Sequence, residues 1–390
     1  MPYAPTDRAI HDADAHVMET PDWLVPFADP AIRPRVPQLY LATTRPGEDR
    51  LIEKFARQHA DPAYRARDAE EIMLRKNWAA TGSFLKQDRP AALDLLGFKS
   101  QLMFNTFQNT YLGNLEQGDD LDFAYGIARA HNRAMADFCA VDARLLATAY
   151  VPIADFARAR AMAEESLALG AKALLIASRC PRTHSPSHVG LDPLWAIAQE
   201  ARVPILFHVG GGAPLCSPMV FENGLPREKD FHGGEENFQS IDHMAIPYPP
   251  MQQLSTLILD GVFERFPRLM WGVIEQGALW LPGWMRAMDA ALEAYGRHEN
   301  RLKKLTLKPS EYVRRQLRVT PYPTEDVGWI VREAGEETVL FSSDYPHVEG
   351  GRNPLRRFAA TTEGLPERAL DRFYRANFAE LMGPHTPAEA

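Results

Sequence analysis

Short runs of apolar and β-branched residues, each closed by a polar residue, recur along the chain at intervals too long for hairpins and suited to crossover helices. Eight are legible: Ala9 to Val17, Ser100 to Asn105, Arg144 to Val151, Ala171 to Ser178, Val203 to Val209, Arg268 to Ile274, Arg315 to Thr320 and Thr338 to Ser343. Between them the apolar positions take a helical period, as in FARARAMAEESLALG and QQLSTLILDGVFERF. In DPLWAIAQEA, Asp192 stands as an N-cap with Pro193 in the first turn. Eight strand-plus-helix units predict an α/β fold, a (β/α)8 or TIM barrel formed by residues 1–390 as one domain, with its chemistry at the carboxyl ends of the strands. A doubly wound open sheet is the alternative.

Two stretches are too long to be ordinary connections. The first, an insertion after strand one from Glu19 to Lys99, is rich in Pro and Arg and holds the helical stretch DRLIEKFARQHADPAYRARDAEEIMLRK. It is expected to wrap the barrel or to form a partner surface. The second, after strand five from Gly211 to Pro250, has little periodicity and reads as a lid. The tail from Gly383 is expected to fray.

Composition narrows the function classes. A 45% hydrophobic, 24% charged chain can build a large core, which excludes wholesale disorder. A net charge of −8 without a long basic run argues against nucleic acid. No stretch approaches the ~18 consecutive apolar residues of a membrane span, and the N-terminus lacks the order of a secretory signal, so no membrane partner and a cytoplasmic location are expected. Cys139, Cys180 and Cys216 are odd in number and far apart, which indicates neither a disulfide framework nor a thiolate zinc site.

Candidate chemistry gathers at predicted strand ends. In IHDADAHVMET, strand alternation sends Asp12, Asp14 and His16 to one face. An Asp-x-His pair there can give one oxygen and one nitrogen to a divalent cation, a mixture suited to Zn, Mn or Fe more than Mg; the plainer alternative is a solvated strand end. His208 closes strand five ahead of three glycines, as a metal ligand or as a core histidine bonded to a carbonyl. Asp344 follows strand eight in FSSDYPH, as a ligand or a helix cap, and Glu275 stands at the same level after strand six.

This ordered set, together with DPLWAIAQEARVPILFHVGG and GVFERFPRLMWGVIEQGALWLPGWMRAMD, resembles the amidohydrolase superfamily, in particular its amidohydrolase-related branch of aromatic-acid and aminocarboxymuconate-semialdehyde decarboxylases. The resemblance runs from Ala9 to about Met382. It implies that Asp14, His16, His208 and Asp344 hold a divalent metal ion, Zn, Mn or Fe. Three departures stand out. Asp14 replaces a His or Glu, Glu275 stands where relatives have an imidazole after strand six, and Arg179 ends strand four where a bridging lysine would be. The resemblance therefore points to His243, in the long loop after strand five, as the proton-transferring imidazole, with a solvent-exposed loop residue as the alternative. His347 and Glu275 are candidates for a second metal, with a plain turn residue as the alternative for His347. Arg179 could clamp a substrate carboxylate or make a structural salt bridge, Asp12 and Glu19 would orient His16, and Phe231, Phe238, Tyr248 and Tyr322 offer an aromatic wall or plain packing.

The activity so implied is that of a metal-dependent hydrolase or a non-oxidative decarboxylase acting on a small carboxylated or aromatic substrate. In it Asp344, His243 and Glu275 carry the catalysis, while Arg179 and Tyr322 bind substrate. A dinuclear iron oxygenase fits the same residues, and a noncatalytic barrel subunit is the third reading. A homo-oligomer is expected, with a hetero-oligomer left open.

Overall fold

Among the described residues, seven parallel strands follow one another in chain order across a single sheet: β1 (His11–Val17), β2 (Ser100–Asn105), β3 (Leu145–Tyr150), β4 (Ala173–Leu175), β5 (Ile205–His208), β6 (Trp271–Ile274) and β7 (Leu317–Val319). The computed structural model describes residues 2–40, 45–211, 216–226 and 240–388. Each strand pairs with the next because a helical connection carries the chain back to the same end before it pairs again. All seven strands are buried along their whole length; β3 to β6 read as largely apolar runs, whereas β1 (HDADAHV) buries polar residues among its alanines and valine. Trp271 packs against Trp195, Phe207 and Phe263 and joins the sheet to its helical layer.

The eighth expected strand does not form a ladder. Segment 338–345 instead makes single bridges to both edges of the sheet, Val339 to Val319 and Tyr345 to Ala15. Backbone bonds from Ala13 N to Phe341 O and from Asp344 N to Asp14 O reinforce the second edge. The sheet thus curls until one segment touches both its first and last strands. The ladder is lost because the Asp12 carboxylate, not a strand carbonyl, accepts the Ser343 N–H at 2.7 Å, and because Asp344 turns the chain with φ +53.

Other expectations shift at their ends. Arg315 and Gln316 belong to the helix Pro309–Gln316, ahead of β7. Asp192 opens the helix Asp192–Ala201 but does not cap it; its carboxylate pairs with Arg265 at 2.8 Å. The long helical stretch of the first insertion breaks into Arg45–His59, Pro62–Arg65 and Asp68–Glu71, the first break falling where Pro62 starts a new turn capped by Asp61. Among the described residues no helix is long and apolar enough to cross a membrane.

Candidate metal centre

At the carboxyl end of the sheet, six buried side chains from β1, β5, β6 and segment 338–347 converge. Along β1 the register against β2 slips between Asp12 and Ala15. Asp12 is turned to structural work: it accepts from Ser343 N and Oγ, from Gln101 Nε2 at 2.9 Å and from Asp14 N. Burial pushes its carboxyl up to about 6 against those donors. Asp14 and His16 face the centre, with His16 Nε2 3.1 Å from Asp14 Oδ1. His208 at the end of β5 brings Nε2 within 3.4 Å of the same oxygen. Glu275, the residue after β6, places Oε2 3.2 Å from His208 Nε2 and 3.4 Å from His16 Nε2.

A second group overlaps the first. Asp344 Oδ1 lies 3.5 Å from His16 Nε2 and 2.9 Å from His347 Nδ1, and His347 Nδ1 is 3.9 Å from Glu275 Oε1. Ligand atoms of Asp14, His16, His208 and Glu275 all lie within 4.8 Å of one another, and so do those of His16, Glu275, Asp344 and His347. The quartet expected from sequence is thus divided: Glu275 stands with Asp14, His16 and His208, while Asp344 stands with His347. His16 and Glu275 are common to both groups.

Local bonds aim the rings. His16 Nδ1 donates to Asn105 O at 2.9 Å, which turns Nε2 inward. His208 Nδ1 lies 3.1 Å from Val209 O and 3.3 Å from the Asn109 amide, with the same result. The Thr106 hydroxyl donates to Val17 O, so its lone pair takes the His347 Nε2 proton at 3.0 Å and Nδ1 faces Asp344. Neither Asp12 nor Glu19 orients His16, contrary to expectation. Glu19 accepts from Thr106 N at 3.0 Å, and burial pushes its carboxyl up to about 7.

Backbone strain marks the two acids that end strands. Glu275 at φ +55 and Asp344 at φ +53 are non-glycine residues in the left-handed region, a placement that costs about 1–3 kcal/mol and persists where surroundings enforce it. For Glu275 the enforcement is visible: its N–H donates to Thr320 Oγ1 at 2.9 Å and its carbonyl accepts from Tyr322 Oη at 2.8 Å. For Asp344 the N–H donates to Asp14 O at 2.9 Å and the carbonyl accepts from His347 N at 2.8 Å, while Gly350 leaves room for the turn, since a Cβ there would lie 2.2 Å from Ser343 O.

The charges are balanced only jointly. Burial and the neighbouring His347 act to lower the His16 imidazole, yet Asp14 and Glu275 prevail and push it up to about 10. Burial likewise opposes ionisation of Asp14 and Glu275, but the surrounding imidazoles hold both below the usual carboxylate range. Burial and the Glu275 charge push Asp344 up to about 7, against the pull of His347. Three carboxylates this close require positive charge between them, which a divalent ion supplies while displacing protons. Asp14 Oδ2, His16 Nε2 and Asp344 Oδ1 are buried without a hydrogen-bond partner among the described residues. Mixed imidazole and carboxylate donors with such orphaned atoms fit a divalent transition-metal ion.

The remaining sequence candidates lie further out. His243 sits in the short helix Ser240–Ala245, exposed, with its ring 5.1 Å from the Tyr322 ring, so one side chain separates it from Glu275. Tyr322 binds the Glu275 carbonyl, and its own hydroxyl is held well above its ordinary range by burial and the Glu275 charge. Arg179 is half-buried, four residues beyond β4. Tyr248 is 62% exposed and forms no wall, while Phe231 and Phe238 lie outside the described residues, as does much of the expected lid. Sequence reasoning missed Thr106 and Asn109. Their signal was the polar stretch NTFQN at the end of β2, at the level where the other strands carry their chemistry.

The chain belongs to the amidohydrolase family, whose model matches residues 12–383. Among solved structures it is similar to an amidohydrolase from Mycobacterium avium subsp. paratuberculosis K-10, at 20% identity and a TM-score of 0.72 over 97% of this chain and 100% of that one. It is also similar to 5-carboxyvanillate decarboxylase from Novosphingobium aromaticivorans DSM 12444, complexed with manganese and 4-hydroxy-3-methoxy-5-nitrobenzoic acid (17% identity, TM-score 0.59, 96% of each chain). A third is dihydroxybenzoic acid decarboxylase from Polaromonas sp. JS666 with bound manganese and 2-nitroresorcinol (16%, 0.59, 96% and 97%). No curated protein matches the sequence.

Proposed function

We propose that this protein is a divalent-metal-dependent decarboxylase that removes CO2 without oxidation from a small hydroxylated aromatic acid. The observation that carries the reading is the buried group Asp14, His16, His208 and Glu275, joined through His16 and Glu275 to Asp344 and His347. Support comes from family membership and from the manganese-bound decarboxylases of similar fold, which also make manganese the favoured ion. The (β/α)8 barrel, with the connection after β5 as its lid, is the architecture this reading assumes.

When bound, the ion would supply an electrophilic anchor for the substrate carboxylate and its neighbouring hydroxyl. Asp344 Oδ1 and His347 Nδ1 stand 2.9 Å apart, and the protonated member of the pair would deliver a proton to the ring carbon as the carboxylate leaves. Glu275, clamped through Thr320 and Tyr322, fixes the imidazoles of His16 and His208. Arg179 would hold a second anionic group of the substrate, with His243 and Tyr322 at the rim.

A second reading has one specific observation in its favour. Two ligand groups sharing His16 and Glu275 could seat two ions, as a dinuclear iron oxygenase requires. The test is elemental analysis combined with CO2 release from 2,6-dihydroxybenzoate and 5-carboxyvanillate under anaerobic conditions. One manganese per chain with anaerobic CO2 release is expected. Two irons per chain, and turnover that stops without O2, would replace the first reading by the second.

A further inference from the structure

At the end of the sheet opposite the metal centre, the amino ends of β5, β6 and β7 open on a groove of two adjoining lobes, about 570 and 700 Å³. Five arginines line it, Arg202, Arg268, Arg315, Arg318 and Arg375, although the chain as a whole carries a net charge of −8. Carboxylates pair two of the five, Arg318 and Arg375, and leave the other three without an ion pair among the described residues. Glu380 lies in both lobes but is already taken by Arg318 at 2.6 Å and Arg372 at 3.0 Å. Arg375 is paired with Asp371. Glu200, on the rim of one lobe, makes no ion pair among the described residues, and neither do Arg202, Arg268 and Arg315. Arg315 spends its guanidinium on the neutral oxygens of Gln316 and Phe263.

Two further observations indicate a built cradle. Arg318 is 3% exposed and its Nε has no hydrogen-bond partner, so a buried donor is left over beside the groove. Gly383, at φ +55, lines both lobes next to the Arg202 guanidinium. Like charges gathered in a concavity repel one another and raise the local positive field, and planar guanidinium forks match the paired oxygens of phosphate and carboxylate.

We propose that this groove binds a small multivalent oxyanion, a phosphate ester or a polycarboxylate, at a site separate from the metal centre. The test is calorimetric titration of the full chain with inorganic phosphate and, in parallel, with citrate, against chloride at equal ionic strength. Saturable binding of one or both is expected, and the tighter of the two identifies the source of the charge. Arg315→Gln and Arg202→Asn should each weaken binding about tenfold, the worth of one charge-assisted hydrogen bond. Asn is chosen at position 202 because that residue sits at φ +54, which Asn tolerates. Arg57→Gln, an exposed arginine on the first insertion, should bind like the parent. Unchanged affinity in both groove variants, or heats that follow ionic strength alone, would overturn the proposal. Because those substitutions lie at the opposite end of the strands, they also separate binding here from anion capture at the metal.

Discussion

The connection after β1 and the connection after β5 both leave the carboxyl end of the sheet, yet they relate to the centre in opposite ways. The first is drawn into it. Arg89, fully buried, donates to His16 O at 2.9 Å, to Gly82 O and to Gln101 Oε1. Met18 N donates to Ser83 O, Tyr345 Oη to Thr81 O, and Asn77 N to Pro346 O. Lys76 Nζ reaches Gly351 O at 2.6 Å. The described part of this insertion buttresses Asp14, His16 and Asp344 from behind. The described parts of the second connection instead leave Met219, Leu225, Met244 and Tyr248 largely in solvent. Paired buried polar groups fix a segment's position, whereas exposed apolar side chains add little that holds one.

That contrast can be broken or sharpened by substitution. The largest effect is expected at Asp344, which the first connection supports. Asp344→Asn keeps the size but removes the charge, and should slow turnover about 10²- to 10⁴-fold, roughly 3 to 5 kcal/mol on the barrier, while melting hardly moves. Wild-type turnover in the metal-loaded variant would remove Asp344 from proton transfer. Next comes Arg89→Met, which strips a donor from His16 O, Gly82 O and Gln101 Oε1 and should cost about 2 to 4 kcal/mol in urea unfolding. A loss below about 0.5 kcal/mol would mean that the first connection is no buttress.

A smaller effect is expected from Tyr322→Phe, which frees the Glu275 carbonyl. It should cost about 0.5 to 1.5 kcal/mol of stability, and His243→Ala should lower turnover less than about tenfold. If His243→Ala matched Asp344→Asn in rate, the exposed imidazole would have to move inward during turnover. The smallest effect is predicted for Tyr248→Ser, within about 0.5 kcal/mol in thermal melting, because that side chain is largely exposed.

What the chain declares in one dimension is periodicity and residue type. Seven strand runs fell within a few residues of their ladders because parallel strands buried on both faces are largely apolar, β1 with its buried acids and imidazoles being the exception. The acids and imidazoles of the centre were legible as polar residues that end such runs: Asp14, His16, His208, Glu275, Asp344 and His347 all lie together. Sequence could not divide them into two groups sharing His16 and Glu275, since that depends on the slip in β1 and on the left-handed turns at Glu275 and Asp344. Nor could it tell that Asp12 would give its oxygens to Ser343 and Gln101, or that Arg89, distant in sequence from His16, would hold that residue's carbonyl. A period is a local property set by each residue's neighbours along the chain. A hydrogen-bond partner is set by what the folded chain brings within about 3 Å, and here that was decided by the insertion and the bridging segment together.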